Sequence, residues 1–113
     1  MHYTLIIISN TITKEYLNKI NVDYLILNEA TLIDNYSLNS NNIEYTFDYL
    51  IITDLSLINN IQIEIEHKKA LTNFYMQTSV DNIFAIANAS NSSLPELEQL
   101  EIVLDYLINP EIF

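Results

Sequence analysis

The chain has 113 residues, with 15 acidic side chains against four lysines and no arginine, so its formal net charge is −11. It contains no cysteine and no glycine, which excludes disulfides, cysteine catalysis, thiolate metal sites and glycine-rich phosphate loops. The length predicts one domain over residues 1–113, and the hydrophobic half of the chain is enough for a packed core.

The first part of the chain alternates between short apolar runs and polar connections. Residues 3–8 and 22–27 are apolar and rich in β-branched side chains, as strands buried on both faces are. Residues 13–20 between them predict a short helix, so we expect the two strands to pair in parallel. The polar, asparagine- and serine-rich stretch 28–42 is predicted to be a loop.

The middle of the chain predicts further strands. Residues 49–53 and 83–87 are continuous apolar runs that are typical of buried strands. Residues 43–47 and 61–66 alternate between apolar and polar side chains, which favours two half-exposed strands in a hairpin-like addition. Because glycine is absent and asparagine occurs 15 times, we expect the turns to be built on asparagine and aspartate.

The C-terminal segment predicts the longest helix, over residues 94–108. Ser93 suits the N-cap and Pro95 the first turn, and apolar residues recur at helical spacing. Asn109–Pro110 is expected to end this helix. Together these elements predict an α/β fold with a mostly parallel central sheet and flanking helices.

Few side chains suggest catalysis or metal binding. The two histidines are far apart in the sequence, and neither has the spacing of a metal ligand. Glu64 and Glu66 would project from the same face of a strand. The two carboxylates are compatible with an acid pair or a cation site, and the alternative is an ordinary solvated strand face. The sequence therefore favours a protein that is not an enzyme and holds neither a metal nor a cofactor.

The charge and the aromatic residues indicate a protein partner. Four lysines cannot neutralise a phosphate backbone, which argues against direct nucleic-acid binding. The many carboxylates suit a basic partner, and the alternative is an acidic surface without a specific partner. Tyr45, Tyr75 and Tyr106 are expected near the surface, as in protein interfaces, with core packing as the alternative. The mean hydropathy of +0.14 predicts an apolar face and association into a homodimer.

The sequence also predicts a location. No apolar run approaches the ~20 residues of a membrane-spanning helix, so no membrane association is expected. No basic region precedes the N-terminal apolar run, which argues against a secretory signal. With the absence of cysteine, these features predict a cytoplasmic protein.

Three segments resemble the FAD domain of the thioredoxin reductase family, the pyridine nucleotide-disulfide oxidoreductases. Residues 78–88 (TSVDNIFAIAN) resemble the family's C-terminal FAD motif, T-x-V-x-G-I-F-A-x-G-D. Residues 47–54 (FDYLIITD) resemble its Y-D-x-L-I-I-A-T-G strand, and the opening strand–helix–strand followed by Glu29 is similar to its dinucleotide fold. The resemblance therefore implies a truncated, Rossmann-like FAD-domain remnant.

The resemblance implies a cofactor site, and the departures from the family weaken it. Asn10 lies in the implied phosphate loop, Glu29 stands where an acid holds the ribose, and Asn88 stands where the family's aspartate binds the flavin. However, Ser9–Thr11 replace the family's glycines, Ala87 replaces another glycine, and the redox cysteines are absent. These departures imply a scaffold that no longer binds FAD as the family does.

Three functions follow from the sequence. The first is a non-catalytic interaction or regulatory protein on this degenerate scaffold. The second is an acidic inhibitor or immunity-type protein that occupies a basic, nucleic-acid-binding partner. The third is retained flavin or nucleotide binding near Asn10, Glu29 and Asn88.

Overall fold

The structure is a computed structural model that describes residues 1–18 and 20–108. The strands among these residues are β1 (His2–Ile8), β2 (Tyr24–Leu27), β3 (Ala30–Asp34), β4 (Ser37–Ser40), β5 (Ile43–Ile52), β6 (Ile58–Asn59), β7 (Ile65–Glu66), β8 (Lys69–Ala70) and β9 (Ile83–Ala85). One α-helix, α1 (Glu96–Ile108), and short 3₁₀ turns at Lys14–Leu17, Leu55–Leu57 and Ala87–Ala89 complete the described secondary structure.

Most strands belong to one mixed sheet of seven strands, in the order β2-β1-β5-β4-β3-β6, with β9 added beside β5. Strands β2, β1, β5 and β9 run in parallel, whereas β4 is antiparallel to both β3 and β5. β7 and β8 form a separate two-stranded sheet. The ten residues of β5 pair along both edges, and this strand therefore joins the parallel and antiparallel parts.

Two apolar cores lie on opposite faces of the sheet. The first is formed by alternate residues of β1, β5 and β9 together with the β3–β4 hairpin, and includes the buried Leu38 and Phe47. The second lies between the sheet and α1, where Leu100, Val103 and Phe84 are buried. Only the second core is therefore covered by an α-helix.

The predicted α/β fold with flanking helices is wrong, and so is the Rossmann-like arrangement that the family resemblance implied. The described residues are mostly strand and contain a single α-helix, at the C-terminal end. The predicted helix over 13–20 is only the 3₁₀ turn Lys14–Leu17, and Thr13 makes no side-chain capping bond. A segment this short does not recover the cost of helix nucleation, and its buried Leu17 needs only one turn to reach the core.

The stretch 28–42, which we predicted as a loop, instead forms the antiparallel hairpin β3–β4. Its turn is closed by Asp34, whose carboxylate accepts hydrogen bonds from the backbone N–H of Tyr36 at 2.8 Å and the hydroxyl of Ser37 at 2.9 Å. The buried Leu32 and Leu38 face each other across the two strands. The apolar signal was too sparse to indicate strands, but these two leucines suffice to anchor them.

The predicted pairing of 43–47 with 61–66 is also wrong. Residues 43–47 and 49–53 fall largely in the single strand β5, because Asp48 points outward without interrupting it. β5 pairs with β4 at this end, while only Ile65–Glu66 of the other segment is a strand. Strands do appear over the predicted runs 3–8, 22–27, 49–53 and 83–87, with shifted ends, as parts of β1, β2, β5 and β9. The predicted burial of 22–27 on both faces is wrong, because β2 is an edge strand and its four residues are only partly buried.

Asparagine occupies several backbone positions with positive φ, where glycine is the usual residue. Asn41 and Asn42 form the two-residue connection of β4 and β5, with φ of 52° and 65°. Two successive positive φ values are what a tight hairpin turn requires, and asparagine tolerates them better than other non-glycine residues. Asn60 has φ 65° as well. The prediction holds only in part, because four described residues of other types also adopt positive φ, namely His67, Lys68, Met76 and Ala87.

The C-terminal helix appears nearly where it was expected. It begins at Glu96, directly after Pro95, and its described part reaches Ile108. The predicted stop at Asn109–Pro110 lies outside the described residues. No helix among the described residues is long and apolar enough to cross a membrane.

Asn82 joins the hairpin to the central strands. Its buried side-chain amide donates to the backbone carbonyls of Asn35 at 2.7 Å and Asp48 at 3.1 Å. We expect Asn82→Ala to lower the free energy of unfolding by about 1–3 kcal/mol, because two carbonyls lose their donor. Urea denaturation measures this loss, and Asn21→Ala, at an exposed asparagine, is the matched control with a change of about 0.5 kcal/mol or less. Equal effects of the two substitutions would contradict this role of Asn82.

Candidate functional site

The carboxyl ends of the four parallel strands lie side by side. Ile8 of β1 is in register with Leu27 of β2 and with Ile52 of β5, and Ile52 is in register with Ala85 of β9. Neighbouring strands are about 4.8 Å apart. The polar residues that follow these four strands therefore share one edge of the sheet.

Asn10, Glu29 and Asn88 all lie beyond this edge and are exposed, but they do not line one common cavity. Glu29 lines an open hollow of about 270 Å³ beside the β3–β4 hairpin. Asn88 lines a different hollow of about 560 Å³ next to the β7–β8 turn. Asn10 lines neither of them. The structure thus places the three residues at one edge without joining them into a binding site.

The surroundings of Asn88 are a network of internal hydrogen bonds. Its backbone carbonyl accepts from the Lys69 ammonium at 2.6 Å, and its side chain lies near the carboxylate of Asp54. The same carboxylate accepts from the backbone N–H of Ser56 at 2.9 Å and from its hydroxyl at 2.8 Å. The hydrogen bonds from Ser56, first from its backbone N–H and then from its hydroxyl, hold the pKa of Asp54 below its usual value. Burial opposes this effect, while the positive charge of Lys69 and the nearby amide of Asn88 lower the pKa further.

The polar groups of the loop after β1 also form hydrogen bonds within the loop and to α1. The hydroxyl of Ser9 accepts from the backbone N–H groups of Thr11 at 3.0 Å and Ile12 at 2.9 Å. The hydroxyl of Thr11 donates to the carboxylate of Glu96 at 2.7 Å, at the first residue of α1. A carboxylate at the start of a helix interacts favourably with the helix dipole, and it would repel a phosphate at the same place.

A groove runs between α1 and the 3₁₀ turn Lys14–Leu17. Two adjoining hollows of about 400 and 240 Å³ share Tyr16, Glu101 and Leu104, and together they form what we call the acidic groove. Its exposed apolar side chains are Tyr16, Leu97 and Ile108, which are 49%, 50% and 43% exposed. Its carboxylates are Glu15, Glu98, Glu101 and Asp105.

The helix leaves this apolar surface uncovered because its apolar stripe is longer than its contact with the sheet. Leu100, Val103 and Leu104 occupy that contact and are buried. Leu97 and Ile108 belong to the same stripe but lie beyond its ends. A second exposed apolar site is Phe74, which is 91% exposed beside a hollow of about 410 Å³.

The sequence did not predict which aromatic residues would be exposed. Tyr45, expected near the surface, is buried, whereas Tyr75 and Tyr106 are partly exposed and stack at 4.9 Å between ring centroids. The well-exposed tyrosines are Tyr16 and Tyr36. The signal that could have indicated Tyr16 is its place next to Leu17, since only one of two adjacent residues in a short turn can face the core.

The titratable groups of the described residues form no obvious reactive site. Glu64 and Glu66 are exposed, and no three histidine, aspartate or glutamate side chains within residues 1–18 and 20–108 are grouped as metal ligands would be. His2 contacts the hydroxyl of Thr46 at 2.7 Å and the carboxylate of Asp48 at 3.2 Å. These contacts fasten the start of β1 to β5 on an exposed part of the sheet.

Comparison with protein-family models and with curated proteins finds no match for this chain. A function therefore has to be proposed from the geometry of the chain itself.

Asp54 makes the stability depend on pH in a defined direction. Its pKa is lowered in the folded state from an unfolded value of about 3.9, so its stabilisation is complete above that value and is lost as the pH falls through the lower folded value. We expect the stability advantage of the wild type over Asp54→Asn to shrink as the pH is lowered from about 6 to about 3.

Urea denaturation at several pH values measures this difference. The matched control is Asp81→Asn, at an exposed aspartate whose carboxylate accepts no hydrogen bond from a described residue. The pH dependence assigned to Asp54 is the part of its effect that this control does not share. A wild-type advantage at position 54 that is independent of pH would contradict the assignment.

Proposed function

We propose that this chain is a non-catalytic interaction protein that binds a positively charged protein partner. The observation that supports the proposal is the acidic groove, where exposed apolar side chains and carboxylates share one surface. Apolar contacts supply affinity in protein interfaces, and charge complementarity selects the partner. The partner would regulate, or be regulated by, this chain when the two proteins bind.

A narrower form of the proposal is an inhibitor or immunity-type protein that occupies a basic, nucleic-acid-binding partner. The excess of 15 acidic residues over four lysines supports it, since such a surface competes with a polyanion for basic side chains. A cytoplasmic location, where proteins fold without disulfides, is part of the same proposal.

The proposal predicts salt-sensitive binding of a cationic amphipathic peptide. The probe is a lysine-rich helical peptide with one tryptophan, whose fluorescence is unobscured because the chain has no tryptophan. We expect saturable binding at about 0.05 M salt and an affinity weaker by about tenfold or more at 0.5 M, because screening removes most of the attraction between exposed charges. No saturable binding at low salt would contradict the proposed function.

Self-association is a second proposal about partners, and the free edge of β2 supports it. β2 pairs only with β1 among the described strands, and its sequence Tyr24–Leu27 contains neither charge nor proline. An apolar edge strand without these protective features is a template for pairing with another strand. Two copies of β2 in antiparallel order would continue the sheet across a twofold axis.

Native mass spectrometry of the purified chain tests this pairing and the flavin alternative together. We expect a dimer that dissociates in Ile26→Lys, because a charge at the centre of β2 opposes its twofold copy. Since Ile26 also packs against the second core, circular dichroism has to show that this variant is folded. A strictly monomeric wild type would contradict the pairing. We expect no added mass from a nucleotide. Added mass equal to a flavin would instead support retained cofactor binding, and Glu29 and Asn88 would be the residues to substitute.

A further inference from the structure

We propose that the acidic groove binds an amphipathic helix with lysine or arginine on its flanks, contributed by the partner. This inference rests on the proposed function and goes further, since it names the binding surface and the form of the ligand. Three features of the groove support this inference: its apolar floor, the carboxylates around that floor, and its length.

The apolar floor offers space for large side chains. Tyr16 and Leu97 stand half exposed on either side, while Leu104, at the bottom, is shared by both hollows. Ile108 extends the same surface toward the end of the described helix. Large apolar side chains of a ligand would bury this surface, and such contacts carry most of the affinity in helix-binding grooves.

The carboxylates around the floor indicate that the ligand is positively charged. Glu98, Glu101 and Asp105 follow one another along α1 at spacings of three and four residues, and Glu15 faces them from the 3₁₀ turn. No lysine or arginine of the described chain lines the groove. Like charges at this spacing repel one another, so a cationic ligand gains attraction and also relieves repulsion within the protein.

The dimensions favour a helix as the ligand. From Leu97 to Ile108 the helix rises by about 16 Å, at 1.5 Å per residue, which matches three turns of a ligand helix. The groove walls are side chains of α1 and of a 3₁₀ turn, so no strand edge is available there for an extended peptide to pair with. A second copy of this chain is disfavoured in this groove because it would bring carboxylates against carboxylates.

Paired variants of the full chain test the groove with the tryptophan-labelled peptide described above. Leu97→Ser removes a groove side chain that is 50% exposed, and Ile33→Ser in β3 is the matched control, since Ile33 is 49% exposed and lines neither hollow. We expect the dissociation constant to rise about tenfold for Leu97→Ser and to stay within about twofold for Ile33→Ser.

A second pair tests the charges. Glu101→Gln should weaken binding by about two- to fivefold at low salt and have little effect at high salt, as exposed charge pairs do. Glu44→Gln, at an exposed glutamate of β5, is the matched control and should leave the affinity unchanged. Thermal denaturation of each variant confirms that the substitutions leave the fold intact.

A peptide of the same composition in scrambled order completes the test. It keeps the charge but loses the apolar face, and we expect it to bind at least tenfold more weakly. If the ordered peptide binds with salt dependence but Leu97→Ser and the scrambled peptide bind as tightly, the groove assignment is wrong and the proposed function stands. If no peptide binds the wild type at low salt, both are wrong.

Discussion

The fold depends on the pairing of β5 along both of its edges. β1 occupies one edge, while the other is shared by β4 near the start of the strand and by β9 near its end. The sequence of β5 suits this division, because its first half alternates between exposed and buried residues and its last three residues are fully buried. A half-exposed antiparallel strand and a buried parallel strand are thus one continuous segment.

This division explains why the protein is mostly strand. The face of the sheet that carries Phe47 packs against the connecting segments after β5, which contribute the buried Ala70 and Ala89, and no α-helix of the described residues packs there. The opposite face is covered by α1 and by one 3₁₀ turn. Both cores are thus shielded from solvent by short elements. The connection between β1 and β2 therefore needs only a 3₁₀ turn, and not a second α-helix, to cover its part of the sheet.

The parts of the fold that could be predicted are those with a dense local signal. The four parallel strands are continuous apolar runs, and α1 has a proline at its start and apolar residues at helical spacing. The β3–β4 hairpin could not be predicted from pattern alone, because two facing leucines and the hydrogen bonds of Asp34 define it within a polar stretch. Those contacts exist only once the chain is folded.

The candidate site, like the fold, could be predicted only in part from the sequence. Asn10, Glu29 and Asn88 share a sheet edge because parallel strands end together, and that much follows from sequence. Whether they share a cavity depends on the loops, and these separate Glu29 from Asn88. The acidic groove required the approach of Tyr16 to α1, across some eighty residues of sequence, and no local pattern encodes that contact.

The excess of carboxylates on α1 is difficult to explain by the stability of the isolated chain. Its 13 residues carry four acidic side chains and no basic one, so their repulsion opposes folding of the helix. Glu96 is compensated by Thr11 and by the helix dipole, and Glu98 lies in the same first turn. Glu101 and Asp105 lie further along, where the dipole gives no such benefit, and both line the groove. The cationic ligand proposed above would account for their position, because its binding would convert this repulsion into attraction.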